Sequence, residues 1–386
     1  MTKERDYDII VIGGGQGGYV SAIKASQAGK KVCLIESTHI GGVCLNEGCI
    51  PTKTLIKTAN LYDDIKKSEE FGIEGIDIDN ISISMEKLQK RKNLIVSQLV
   101  YGIKGLIKGN NVNILDGKAS FIDEHTVTVD GKKLTAENFI IATGSRPFLP
   151  PFIPLEGNHN VITSTEALEL EEIPKSIAII GGGVIGIEFA YLLSKLGSKV
   201  TVLELMDNIL PMVDEEISNM AKEKLEKEGV TFHLGAKVKK VSDNKVIYES
   251  NGSEENVEAE MVLMAVGRVP NVEGLNAEGI GIEFDKKAIK TDEKLRTNIP
   301  NIYAVGDVNG KVMLAHVAGR EGVVAVSNIC GNNEIMTYDK VPSCIYLEPE
   351  IASIGLTETQ AIEQGKKIKI GRFCMFFIFK RKEWWL

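Results

Sequence analysis

The chain contains one structural pattern twice, and this repeat restricts its fold more than any other feature. In each copy a short apolar strand leads into a glycine-rich turn, a helix follows, and a second strand ends on a glutamate. The turn GGGQGG starts at Gly13 and its copy ends at Glu36, while GGGVIG starts 168 residues later at Gly181 and its copy ends at Glu204. We predict strands at 7–12, 31–35, 176–180 and 199–203, and helices at 19–28 and 187–196. Two strand–helix–strand units predict an α/β protein with two Rossmann-like domains.

Each glycine turn has the spacing of a dinucleotide site. The first two glycines allow a sharp turn and a close approach of a pyrophosphate, and the third allows helix and strand to pack closely. The helix N-terminus then attracts the anion, and the glutamate accepts hydrogen bonds from a ribose. The predicted sites are Gly13, Gly15 and Gly18 with Glu36, and Gly181, Gly183 and Gly186 with Glu204.

Two dinucleotides in one chain indicate a hydride donor and a flavin that receives the hydride. The glycines alone do not reveal which turn holds which cofactor. Glu204 favours NAD(H), because a carboxylate there repels the 2′-phosphate of NADP and the next residues, Leu205 and Met206, supply no arginine.

A cysteine pair follows the first unit. Cys44 and Cys49 are five residues apart, which in a regular helix separates the Cα atoms by about 8.6 Å, whereas a disulfide needs about 4.4–6.8 Å. A bridge therefore requires a distorted turn, for which Gly48 gives freedom, and Pro51 favours a helix that begins there. Such a disulfide would be easily reduced. Two unrelated buried thiols remain an alternative, and a zinc site is disfavoured because no second Cys/His pair has ligand spacing.

The segment GGVCLNEGCIPTK at 41–53 resembles the active-site signature of the pyridine nucleotide–disulfide oxidoreductases, and its dihydrolipoamide dehydrogenase branch in particular. The resemblance runs from about Tyr7 to about Phe373. It includes ATGSRP at 142–147, AVGRVPN at 265–271 and the segment at 297–307 that ends in YAVGD.

The resemblance implies a role for individual residues. The first glycine turn would bind FAD and the second NAD. Cys44 would exchange with the substrate, Cys49 would be the charge-transfer thiol, and Lys53 would lie near flavin N5, paired with Glu188. Further FAD contacts are implied for Lys53, Thr143, Gly144, Ser145, Asp307, Ala315 and His316, and further NAD contacts for Val184 and Gly267.

The family architecture implies four segments: an FAD-binding part at 1–149, an NAD-binding domain at 150–275, a return to the FAD domain at 276–341, and an interface domain at 342–386. After Phe373 the likeness to the family stops, and the family's C-terminal His and Glu have no counterpart. We expect a truncated interface domain with an aberrant tail from about 374, and a family homodimer that is compromised in this chain.

Composition excludes several other functions. The net charge of −8 argues against a non-specific grip on nucleic acid or on an anionic membrane. No apolar run reaches the ~18 residues of a membrane span, and no signal peptide is visible, so we expect a cytoplasmic protein. We expect no metal site.

The leading hypothesis is conversion of dihydrolipoamide and NAD⁺ to lipoamide and NADH, serving a lipoyl-bearing partner. That partner would be a 2-oxo acid dehydrogenase core or the glycine cleavage carrier. The alternatives are a glutathione- or mercuric-type disulfide reductase, or a crippled flavoprotein with diaphorase activity alone.

Overall fold

The structure is a computed structural model and describes residues 5–156, 160–242 and 244–373. The predicted aberrant tail, from 374 onward, therefore lies outside the described residues.

The first part of the chain folds as an α/β unit. Its elements are β1 (Tyr7–Ile12), α1 (Gln16–Gln27), β2 (Val32–Glu36), α2 (Gly42–Asn46), α3 (Cys49–Lys66), α4 (Met85–Gly109), β3 (Asn113–Asp116), β4 (Ala119–Asp123), β5 (Thr126–Val129), β6 (Lys132–Ile141) and β7 (Ser145–Pro147).

A second α/β unit follows, built around the second glycine turn. Its elements are β8 (Leu155–Glu156), β9 (Val161–Ile162), α5 (Ser164–Ala167), β10 (Ser176–Ile180), α6 (Val184–Lys195), β11 (Lys199–Leu203), α7 (Glu215–Lys227), β12 (Thr231–His233), β13 (Lys237–Ser242), β14 (Lys245–Ser250), β15 (Ser253–Glu258), β16 (Met261–Met264) and β17 (Arg268–Pro270).

The chain then returns to the first unit and ends in a small antiparallel hairpin. The elements are β18 (Phe284–Asp285), β19 (Ala288–Ile289), β20 (Ile302–Ala304), α8 (Ala315–Ile329), β21 (Pro342–Ile345), β22 (Ile351–Ile354) and α9 (Glu358–Glu363). Short 3₁₀ turns lie at Ser68–Phe71, Ile78–Asn80, Glu278–Ile280 and Gly306–Asn309.

The predicted pair of Rossmann-like α/β units is confirmed, although β5 and β4 join the first sheet in antiparallel pairing. The first sheet has the strand order β3-β2-β1-β6-β5-β4, with β20 paired to β6, and the second has β12-β11-β10-β16-β9. Strands β1 and β10 are each paired in parallel on both sides. In such sheets ligands bind at the carboxyl ends of the strands where the strand order reverses, and in both units that point is the glycine turn.

Buried apolar side chains explain why the two central strands lie inside. Ile9, Val11, Ala178 and Ile179 are fully buried, as expected for strands that are covered on both faces, by helices on one face and by antiparallel strands on the other. The predicted bounds of β1 and β10 are correct, and β2 is shifted by one residue. The helices α1 and α6 each begin three residues earlier than predicted, because the glycine turn itself forms the first helical turn.

The cysteine helix also begins earlier than predicted. Helix α3 starts at Cys49 rather than at Pro51, and Gly48 is its N-cap residue. A proline two residues inside a helix is harmless, because the first four backbone N–H groups of a helix have no partner within it.

Candidate active site

The three glycines of the first turn differ in their backbone conformation and in the space around them. Gly13 has φ of 106°, in the left-handed region, and a Cβ there would lie 2.3 Å from the Ala142 carbonyl oxygen. A Cβ on Gly18 would lie 1.7 Å from the Gly13 oxygen, so the helix packs directly on the turn. Gly15 is different: its φ is −70° and the nearest protein atom would be 3.7 Å from a Cβ. Protein packing does not demand a glycine there, and the free space fits an approaching pyrophosphate.

The three glycines of the second turn differ in the same way. Gly181 has φ of 114°, and a Cβ on Gly186 would lie 2.0 Å from the Gly181 oxygen. Gly183 has φ of −75°, and a Cβ there would meet no protein atom within 4 Å. Both turns therefore fit a dinucleotide at their middle glycine, which is the position that packing leaves free.

The two glutamates are held by the turns that precede them. Glu36 accepts a hydrogen bond from the Gly14 backbone N–H at 2.5 Å, and Glu204 accepts one from the Gly182 N–H at 2.5 Å. The second oxygen of Glu204 accepts a hydrogen bond from the Met206 N–H at 2.8 Å. Both carboxylates are thus fixed at the strand end, with lone pairs left for a ribose hydroxyl.

Ser145 and Asp307 come together although 162 residues separate them. The Ser145 hydroxyl donates to Asp307 Oδ2 at 2.5 Å. Arg268 donates from Nε to Ser145 Oγ and from Nη2 to the Ser145 carbonyl oxygen, both at 2.8 Å. Sequence analysis quoted Arg268 within a motif but assigned it no role. Its guanidinium braces the segment that carries Ser145 beside Asp307.

A buried glutamate fixes the turn that carries Asp307. Glu321 has no solvent exposure. One of its oxygens accepts from the Gly306 N–H at 2.5 Å and from Asn309 Nδ2 at 2.9 Å, and the other accepts from the Tyr338 hydroxyl at 2.6 Å. Burial raises the pKa of Glu321, although these hydrogen bonds oppose the rise. Sequence analysis missed Glu321, because its contacts reach other segments and leave no local pattern.

Cys44 and Cys49 lie on two consecutive helices, α2 and α3, separated by the break at Glu47 and Gly48. The distorted turn that a bridge requires is therefore present. Both residues are free cysteines in the structure, and the disulfide between them remains a prediction.

The two thiols of the pair differ in acidity. The hydrogen bond from Cys44 and the positive charge of Lys53 lower the pKa of Cys49 to about 7, against the effect of burial. The same hydrogen bond, together with burial, raises the pKa of Cys44. As the pH rises through about 7, Cys49 therefore becomes a thiolate while Cys44 keeps its proton. A thiolate is the reactive form of cysteine.

Lys53 forms the ion pair that the resemblance implied. Its Nζ lies 3.2 Å from Glu188 Oε2, and the Glu188 side chain is almost fully buried. Burial raises the pKa of Glu188, and Lys53 and the Tyr346 backbone N–H oppose the rise. The Tyr346 ring also lies beneath the ammonium, with its centroid 4.2 Å from Nζ. Sequence analysis did not single out Tyr346.

One cavity of about 2150 Å³ joins these features. Its volume exceeds the range of about 300–1,000 Å³ of ordinary small-molecule sites, so it has room for more than one large ligand. Gly18 and Gly186 do not line the cavity, since they pack against their own turns. The other predicted residues do line it: Gly13, Gly15, Glu36, Cys44, Cys49, Lys53, Thr143, Gly144, Ser145, Gly181, Gly183, Val184, Glu188, Glu204, Gly267, Asp307, Ala315 and His316.

Among the residues that the structure describes, no group of three or more His, Cys, Asp or Glu side chains could hold a metal ion. No helix in the described part of the chain is both long and apolar enough to cross a membrane.

Two dinucleotide-binding folds that share one cavity with a pair of thiols define a class: the flavoprotein disulfide oxidoreductases linked to a nicotinamide. The sequence profile of the pyridine nucleotide-disulphide oxidoreductases matches residues 7–322, and that of their dimerisation domain matches residues 341–376. The chain belongs to the pyridine nucleotide-disulphide oxidoreductase family. It is an NAD-linked enzyme that uses FAD.

Similar proteins with curated names agree with this assignment. A dihydrolipoyl dehydrogenase of Bacillus subtilis (strain 168) is 42% identical over 371 residues, which cover 95% of this chain and 81% of the relative. A dihydrolipoyl dehydrogenase of Acholeplasma laidlawii is 46% identical over 332 residues, which cover 85% of this chain and 97% of the relative. Among solved structures, the HOCl-induced flavoprotein disulfide reductase RclA from Escherichia coli has a TM-score of 0.82 at 31% identity, covering 94% of this chain and 80% of that one.

Proposed function

We propose that the enzyme oxidises dihydrolipoamide to lipoamide with NAD⁺ as the electron acceptor, and that Cys44 and Cys49 are its redox pair. The observation that carries the proposal is the position of the pair, beside Lys53 in the cavity that both glycine turns line. The relatives named dihydrolipoyl dehydrogenase, at 42% and 46% identity, support this choice of substrate.

The exchange of electrons between substrate and cysteines follows from the acidity of the pair. In the oxidised enzyme a substrate thiolate attacks the Cys44 sulfur, the bond between Cys44 and Cys49 breaks, and Cys49 leaves as a thiolate. The second substrate thiol loses its proton and attacks the substrate sulfur bound to Cys44. The ring of lipoamide closes, and Cys44 leaves and takes up a proton. The substrate has lost two electrons and two protons. The cysteine pair holds both electrons and one proton, and the other proton is released to solvent.

The asymmetry of the pair suits this direction of attack. A thiol of low pKa is the better leaving group in disulfide exchange, and Cys49 is the more acidic of the two. Attack at Cys44 therefore expels the thiolate that Lys53 stabilises. When bound, FAD carries the electron pair between the reduced cysteines and the nicotinamide. Gly15, Ser145 and Asp307 would hold FAD, and Gly183 and Glu204 would hold NAD.

The proposed substrate also points to a partner. Lipoyl groups are carried by proteins, so we infer a lipoyl-bearing partner, either a 2-oxo acid dehydrogenase core or the glycine cleavage carrier, in the cytoplasm. The match of residues 341–376 to a dimerisation domain supports a homodimer.

Turnover with paired substrates tests the proposal. We expect NAD⁺ reduction with dihydrolipoamide, and little or no reduction of glutathione disulfide by NADH or NADPH. Cys44→Ser and Cys49→Ser should each abolish the dihydrolipoamide reaction, whereas Cys330→Ser, at an exposed cysteine that does not line the cavity, should not. Faster turnover of glutathione disulfide than of lipoamide would contradict the proposed substrate.

A further inference from the structure

Tyr346 contacts both members of the ion pair beside the redox cysteines. Its backbone N–H donates to Glu188 Oε1 at 3.1 Å, and its ring centroid lies 4.2 Å from Lys53 Nζ. Lys53 comes from α3 of the first unit, Glu188 from α6 of the second, and Tyr346 directly follows β21 of the C-terminal hairpin. Three parts of the chain therefore meet at one charge pair.

The neighbours of Tyr346 fix its position. Ile345 and Leu347 are both buried and belong to the same core cluster as residues of α3 and α6, Leu55 and Phe189 among them. Tyr346 itself packs against this cluster, and the Leu347 backbone N–H donates to the Ile345 carbonyl oxygen at 3.2 Å, so the backbone is held on both sides of the Tyr346 ring.

The Lys53 ammonium needs such support. A lysine side chain is long and flexible and loses considerable rotamer entropy when it is held in one place. The two contacts from Nζ to Glu188 are long for charged hydrogen bonds, at 3.2 and 3.3 Å. An aromatic face within about 6 Å of an ammonium attracts it, and the attraction grows when the cation is partly removed from water.

We propose that Tyr346 is a positioning residue for the redox pair: its ring holds the Lys53 ammonium, and its backbone holds Glu188, so that docking of the C-terminal hairpin sets the charge next to Cys49. This inference rests on the proposed role of Cys49 as the thiolate of the pair. It adds that a residue of the C-terminal hairpin, remote in sequence from Cys49, controls how readily that thiolate forms.

The charged and titratable groups around Cys49 are known from the structure. They are Cys44 on α2, Lys53 on α3, Glu188 on α6 and Arg268 on β17. Removing the Tyr346 ring adds no charge to these groups and removes none. A change in the acidity of Cys49 would therefore report a displacement of Lys53.

The test measures the titration of Cys49 in proteins that carry Cys44→Ser, so that one thiol of the pair remains. Thiolate absorbance in the ultraviolet is followed against pH in the protein without FAD, and the titration of Cys44→Ser/Cys49→Ser is subtracted. The charge-transfer absorbance of the FAD-loaded protein gives a second measure. Tyr346→Leu removes the ring, and Tyr346→Phe keeps it.

Tyr62→Leu is the matched control. Tyr62 lies on the same helix as Lys53, and its ring centroid is 4.1 Å from Lys66 Nζ, so the variant removes a similar contact away from the cysteines. Tyr346→Met, an apolar chain without an aromatic face, replaces Tyr346→Leu if the leucine variant does not fold.

We expect Tyr346→Leu or Tyr346→Met to lower the acid dissociation constant of Cys49 by about threefold or more, with Tyr346→Phe and Tyr62→Leu close to the parent. Equal titrations in all variants would overturn the inference, as would an equal shift from Tyr62→Leu or from Tyr346→Phe. If Cys49→Ser removes no titration, the proposed role of Cys49 is wrong, whatever the Tyr346 variants do, and the inference fails with it.

Discussion

Lys53 and Glu188 are 135 positions apart in the sequence, and Lys53 Nζ lies 3.2 Å from Glu188 Oε2. Lys53 is one helical turn beyond Cys49 on α3, while Glu188 is on the helix that follows the second glycine turn. The ion pair thus joins the helix that begins at Cys49 to the unit built around the second glycine turn. The positive charge of Lys53 helps to lower the pKa of Cys49 and opposes the rise that burial causes in the pKa of Glu188, so one ammonium group stabilises two anions.

Removing the Lys53 charge should make Cys49 a weaker acid. In Lys53→Met we expect the pKa of Cys49 to rise by about one unit, because a nearby positive charge favours the thiolate. The charge-transfer absorbance of the reduced, FAD-loaded protein should then appear at correspondingly higher pH. Lys57→Met, at an exposed lysine one turn further along α3, is the control. A pKa of Cys49 that is equal in Lys53→Met and Lys57→Met would contradict the role of Lys53.

Spectra of single cysteine variants should separate the two thiols. Cys49→Ser should abolish the long-wavelength absorbance between thiolate and flavin, and Cys44→Ser should show it without added reductant. In the reduced, unaltered enzyme the pKa of Cys49, lowered to about 7, predicts the pH dependence of the band: it is present at alkaline pH and disappears as pH falls through about 7, because the thiolate is then protonated. Identical spectra for the two variants would refute the assignment of roles.

Much of this site was predictable because its chemistry lies in short motifs. The strands before both glycine turns are apolar runs that end in glycine, so their bounds could be predicted, and Cys44, Cys49 and Glu204 lie within a few residues of recognisable patterns. In contrast, Arg268, Glu321 and Tyr346 act on residues from distant segments. Tyr346 reaches Glu188 across 158 positions, and neither periodicity nor spacing reports a contact of that kind.

The start of helix α3 was mispredicted for a different reason. Pro51 is compatible with any position in the first helical turn, since none of those backbone N–H groups has a partner within the helix. The first backbone hydrogen bond at the start of α3 runs from the Thr52 N–H to the Gly48 carbonyl oxygen, at 3.0 Å. The helix begins at Cys49 because the break at Gly48, rather than the proline, ends the preceding helix.

Glu204 should determine the choice of nicotinamide. Its carboxylate is fixed by Gly182 and Met206, so it cannot easily move away from a 2′-phosphate, and burying like charges together is costly. We expect NADH to reduce the flavin at least about tenfold more efficiently than NADPH, which corresponds to about 1.4 kcal/mol. Glu204→Ala combined with Leu205→Arg should shift this preference towards NADPH. Equal rates with NADH and NADPH in the unaltered enzyme would argue against this role of Glu204.

The two glycines of the second turn provide a matched pair of substitutions that separates binding from folding. At Gly183 the backbone has an ordinary φ of −75° and a Cβ would meet no protein atom within 4 Å. At Gly186 a Cβ would lie 2.0 Å from the Gly181 oxygen. An added methyl group should therefore obstruct the ligand at Gly183 and the protein backbone at Gly186.

We accordingly expect Gly183→Ala to leave the thermal midpoint of unfolding nearly unchanged and to weaken NADH binding about tenfold or more, since the backbone could no longer approach the pyrophosphate. Gly186→Ala should lower the free energy of unfolding by about 1–3 kcal/mol, because the backbone must shift to accept the methyl group. Thermal unfolding without nucleotide and fluorescence titration with NADH measure the two effects separately. If Gly183→Ala bound NADH as tightly as the unaltered enzyme, the pyrophosphate would not lie at Gly183, and the NAD site would have to be sought elsewhere in the cavity.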